Sequence, residues 1–61
     1  MSEPEQFIVF INGTNIGTFK SLSETTTAAG QAAGRGIGGN GNRLVEVRNS
    51  KTFQIVSQYY I

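Results

Sequence analysis

Gly34, Gly36 and Gly39 fall in the spacing G-x-G-x-x-G within AGRGIGGNGNR (residues 33–43), with Arg35 inside the stretch and Arg43 at its end. A phosphate cradle of this type works because the glycines follow a strand and open a helix, so that free amides at the helix N-terminus meet the anion. The surrounding pattern reverses that order. A helical stretch precedes these glycines and a strand-like stretch follows, which places them at a helix C-terminus, where carbonyls carry partial negative charge. The match is therefore read as accidental. Two uses of the loop remain: a plain connection with glycine at special backbone angles, or a basic finger in which Arg35 and Arg43 meet phosphate or a partner's carboxylates. Ile37, alone among glycines, is read as a plug into the core or else as an anchor for a partner.

The rest of the inventory is poor in chemistry. There is no cysteine and no histidine, and the four acidic residues are all glutamates, Glu3, Glu5, Glu24 and Glu46. A structural zinc site of Cys and His ligands cannot be assembled from this set, and no closely spaced oxygen ligands suggest calcium. No histidine is present to activate any of the serines or threonines. The expectation is a protein that is not an enzyme and that takes no metal or cofactor. The net charge is +1. Setting aside residues 1–6, which hold Glu3 and Glu5, leaves five basic and two acidic residues, or +3, which permits nucleic-acid contact without demanding it. No run of apolar residues is long enough for a membrane span and no leader is recognisable. The compartment expected is the cytoplasm, that of the host cell if the protein is viral.

The elements that must position these residues can be read from period and punctuation. Residues 1–6 (MSEPEQ) read as a disordered tail and 7–61 as one small domain. FIVFI at 7–11 is apolar on both faces, as for a central strand covered on both sides. Asn12-Gly13 signals a hairpin turn, with Thr14 and Asn15 lengthening the loop and IGTFK at 16–20 forming the second strand. Gly17 there hints at a bulge. Ser21 and Glu24 fit a capping box in which each side chain meets the other's amide. A helix follows, with Leu22, Ala29, Ala32 and Ala33 on its inner face and Gly34 as its stop. RLVEVRN at 43–49 and TFQIVSQYYI at 52–61 form the last two strands, joined by a short turn at 49–51. In the last strand Phe53, Ile55, Ser57, Tyr59 and Ile61 share one face by simple alternation. The fold expected is α+β: a two-layer β-β-α-β-β arrangement, a four-stranded antiparallel sheet with one helix packed on one face.

Two functions from different classes are consistent with this reading. The first is a non-enzymatic protein-binding module, dimeric, that covers a larger partner through Phe10, Tyr60, Arg35, Ile37 and Arg43. A small inhibitor from a phage or mobile element, occluding a larger host protein, is the setting its size suggests. The second is a nucleic-acid-binding protein using the basic glycine-rich loop, with Lys20, Arg35, Arg43, Arg48 and Lys51 on phosphates.

Overall fold

The computed structural model describes residues 5–61. The tail expected over 1–6 lies mostly outside the described residues; Glu5 and Gln6 are exposed and in no regular element. Four strands and one helix follow in the order β1 (Phe7–Ile11), β2 (Thr14–Phe19), α1 (Leu22–Gly34), β3 (Leu44–Asn49) and β4 (Ile55–Tyr60). The strands form one antiparallel sheet in the order β2-β1-β3-β4, with α1 packed on one face over β1 and β2. The expected α+β architecture is the one observed.

The first hairpin is tighter than the sequence suggests. Ile11 pairs with Thr14, so Asn12 and Gly13 alone make the turn. Both have positive φ, +48° and +84°, as a two-residue type I′ turn requires. Thr14 and Asn15 therefore belong to β2. The register of β2 slips between Val9 and Phe10, where Gly17 faces Val9 at a φ of +131°. This is the irregularity that Gly17 foreshadows. The extra residue is Ile16, and the slip lets both Ile16 and Phe19 pack against the core.

α1 opens on Ser21, whose Oγ accepts from the Glu24 amide at 3.1 Å. The reciprocal bond differs from the expected one: Glu24 Oε2 accepts from the amide of Lys20 at 2.9 Å. The buried positions are Thr25, Ala29 and Ala32, at i, i+4 and i+7, whereas Leu22 at the first turn is 48% exposed. Thr25 is tolerated under the helix because its hydroxyl donates to the Leu22 carbonyl at 2.6 Å. Two alanines on the contact face let the helix lie close to the strands. Val9 and Ile11 of β1 and Val45 and Val47 of β3 complete the buried core, with Phe7, Ile16, Phe19, Ile37 and Tyr59 packed around it.

The far face of the sheet carries no second layer among the described residues. β1 is central, but only its Val9 and Ile11 side is covered by the helix; Ile8 and Phe10 are half-buried on the open face.

Candidate functional site

The glycine loop is built to close the helix. Gly36, in the left-handed region at φ +88°, donates its amide to the Ala33 carbonyl at 3.0 Å, and Ile37 donates to Ala32 at 3.1 Å. This pair of bonds is the Schellman motif, with Ile37 as the apolar residue that follows the glycine and returns to the helix. The left-handed stop is thus Gly36 rather than Gly34, which is the last helical residue. The Gly39 amide donates to Gly36. Amides of Gly36, Ile37 and Gly39 that a phosphate would need are bonded to main-chain carbonyls, so the G-x-G-x-x-G spacing forms no anion cradle here.

Two contacts seat the loop on the domain. Ile37 packs against the core. Asn12 joins three segments: its Nδ2 donates to the Gly38 carbonyl at 2.8 Å, and its Oδ1 accepts from the Leu44 amide at 2.8 Å. Gly38 lies so near that a Cβ there would stand 2.6 Å from Ile11 Cγ2. Arg43 runs its stem alongside Gly38, and its Nε is buried with no hydrogen-bond partner among the described residues. The Tyr59 hydroxyl is buried in the same unpartnered way.

The basic residues do not form one stripe. Arg35 caps the helix at the start of the loop and is exposed, and Arg43, at the end of the loop, is half-buried. Lys20, Arg48 and Lys51 lie toward the other end of the sheet, the length of a five-residue strand away, roughly 15 Å. Arg48 is engaged within the fold. Its guanidinium stands 4.6 Å from the Phe53 ring centroid, its Nη1 donates to the Phe53 carbonyl at 2.8 Å, and its Nη2 is 3.6 Å from Glu46 Oε2.

The turn between β3 and β4 is longer than expected and moves Phe53 to the open face. Asn49 Oδ1 accepts from the amides of Lys51 and Thr52, at 2.8 and 3.1 Å, and Phe53 adopts a φ of +64°. β4 therefore starts at Ile55 rather than at residue 52. A second register slip, between Val47 and Arg48, puts Ile55 opposite Arg48 and Ser57 opposite Val47. Simple alternation from Phe53 to Tyr59 is broken at both points. Phe53 stands edge-on to Phe10, ring centroids 5.7 Å apart at 85°. Phe10 is thus half-covered by a residue that the alternation assigns to the other face.

The exposed apolar surface is concentrated. Among the described residues, five of the six well-exposed large apolar side chains are Phe53, Ile55, Val56, Tyr60 and Ile61, and Tyr60 leads them at 66%. Scattered apolar exposure is ordinary, but a contiguous patch on one strand and its leading turn marks an interaction surface. Tyr60 is opposite Leu44 and Phe10 is opposite Glu46, so Phe10 and Tyr60 share the open face two strands apart. Ile55 is the position that sequence reasoning missed, because simple alternation groups it with Tyr59; Val56 shares the face of Tyr60 in that alternation and is exposed with it. Two apolar neighbours cannot both be inward in a regular strand, and that adjacency is the signal that was available.

A cleft of about 310 Å³ opens between α1 and β2, lined by residues that include Ile16, Phe19, Gln31 and Arg35. No group of three or more His, Cys, Asp or Glu side chains gathers among the described residues. No helix there is long and apolar enough to cross a membrane. Comparison with protein-family models, with curated proteins and with solved structures yields no match.

Proposed function

We propose that this protein is a non-enzymatic protein-binding module that covers a larger partner, in the manner of a small phage or mobile-element inhibitor, with the open sheet face as its contact surface. The observation that carries the reading is the gathering of exposed apolar side chains along β4 and its leading turn, with Phe53, Ile55 and Tyr60 on the open face. The Phe10–Phe53 pair with Arg48 stacked on it gives that face aromatic and guanidinium groups, the types that dominate binding energy at protein interfaces. The nucleic-acid reading has less support. Its five basic residues are split between two ends of the sheet, and Arg43 and Arg48 are packed against the fold.

The test is a paired binding measurement. Proteins retained by the immobilised wild type are identified by mass spectrometry, remade in pure form and titrated against wild type, Phe53→Glu and an Arg35→Ala, Arg43→Ala double variant. The expected result is a partner whose affinity falls at least tenfold with Phe53→Glu and changes little in the arginine variant, with circular dichroism showing each variant folded. Micromolar binding to mixed-sequence oligonucleotides at about 50 mM salt, lost steeply by about 200 mM, would replace this reading with the nucleic-acid one.

A further inference from the structure

β4 is an edge of the sheet, and nothing in its sequence blunts it. Natural edge strands are protected by lysine, proline or inward-pointing charge. Residues 52–61 contain no charged residue and no proline. The opposite edge, β2, differs: it carries a register slip at Ile16, has Gly17 at a φ of +131°, and is followed by Lys20. The one irregularity of β4 lies at Val56, which leaves the strand regular from Ser57 onward.

The hydrogen bonds show which main-chain groups of β4 face outward. Arg43 and Ile61 exchange both of their bonds, at 2.9 and 3.0 Å. In an antiparallel ladder such pairs recur every second residue, so Tyr59 and Ser57 also bond inward, opposite Val45 and Val47. The amides and carbonyls of Gln58 and Tyr60 then point away from β3 toward the free edge.

We infer that β4 pairs antiparallel with β4 of a second copy of this chain, across a two-fold axis at Gln58, joining two four-stranded sheets into one. With Gln58 on the axis, Tyr60 stands opposite Val56 of the second copy, while Ile55, opposite Arg48 on the open face, and Ile61, opposite Arg43 on the helix face, each flank the seam on their own side. Tyr60 and Val56 are thereby matched, and an aromatic against a β-branched residue is a favourable cross-strand pair. Charge fits the same occupant, because an uncharged strand meets its own copy without repulsion. The area also suffices. These four side chains leave roughly 400 Å² of apolar surface per copy, and with the main chain of both edges the pair buries about 1,000 Å², the lower bound for a specific interface. The buried core of each chain is small, six apolar side chains of which two are alanines, so covering this strip adds appreciably to the apolar area each chain removes from water. The inference rests on the protein-binding reading in naming who occupies the edge. It leaves Phe53 and the rest of the open face free for the larger partner.

The test is a charge swap at the axis, read by sedimentation velocity from about 10 to 500 µM. Wild type is expected at twice the 6.6 kDa of one chain. Gln58→Lys alone and Gln58→Glu alone place like charges face to face, and each is expected to associate at least tenfold more weakly. An equimolar mixture of the two is expected to regain the wild-type mass. Gln58 is exposed on a free edge, so both variants should keep the wild-type far-ultraviolet spectrum. A wild type that stays a single chain at 500 µM overturns the inference, as does a Gln58→Lys variant as dimeric as wild type or a mixture that fails to recover. The Phe53→Glu titration against the larger partner is read separately, so either reading can fail while the other stands.

Discussion

Replacing Gly38 by alanine probes the seating of the glycine loop, and Gly36 supplies the control. Both glycines have nearly the same backbone angle, φ +85° and +88°. An alanine at either position bears the cost of a left-handed conformation, about 1–2 kcal/mol. The surroundings differ. A Cβ at Gly36 meets nothing within 4 Å, whereas at Gly38 it would stand 2.6 Å from Ile11 Cγ2 and 3.4 Å from Arg43 Cδ. Ile11 is fully buried beneath α1 and cannot swing away. Overpacking of that kind adds about 1–3 kcal/mol. Gly36→Ala should therefore cost about 1–2 kcal/mol and Gly38→Ala about 2–5 kcal/mol. A domain of 61 residues has roughly 3–9 kcal/mol in total, so Gly38→Ala removes most of it. In urea, with a slope of about 1 kcal/mol per molar, the two midpoints should differ by about 1–3 M when followed by circular dichroism. Equal midpoints would refute the reasoning, because the loop would then not rest on Ile11.

Substitutions at three further positions test the local chemistry. Asn12→Gly keeps the turn but removes the two side-chain bonds to Gly38 and Leu44. It should cost about 1–3 kcal/mol, and Asn12→Ala about 1 kcal/mol more because of the positive φ; the order of the two in denaturant melts is the check. Ser21→Ala removes the helix cap seen at the Glu24 amide and should cost about 1 kcal/mol, a fall in melting temperature of roughly 4–8 °C, while Ser21→Asp stays close to wild type. Tyr59→Phe deletes a buried hydroxyl with no partner among the described residues. Stability should be unchanged or raised by up to about 1 kcal/mol, and a clear loss in the same melts would show that the hydroxyl is satisfied.

The sequence by itself determined the parts that depend on local periodicity and punctuation. FIVFI as a strand, Asn12-Gly13 as the turn after it, Ser21 and Glu24 as the start of the helix, and the strand-helix-strand order all follow from short-range rules, and all are in the structure. The position of the glycines after the helix was legible for the same reason, since the helix signal precedes them in the chain. Where Schellman closure occurs was legible in principle as well, because Gly36 is followed by the apolar Ile37. The tertiary structure alone decided which face the helix covers. β1 is apolar on both sides, and only the pairing of Val9 with Val47 and Ile11 with Val45 assembles one face bulky and continuous enough to bury under α1. It also decided the fate of β4. A register slip at Val56 and a left-handed Phe53 each reverse the alternation of side chains beyond them, and such slips are set by neighbouring strands, not by the residues of the strand itself. The candidate surface moved with them. Phe53 came onto Phe10, Arg48 stacked on the Phe53 ring and donated to the Phe53 carbonyl, and Ile55 and Val56 were left outward beside Tyr60, because exposure on an edge strand is a property of strand order, which no single segment of the chain encodes.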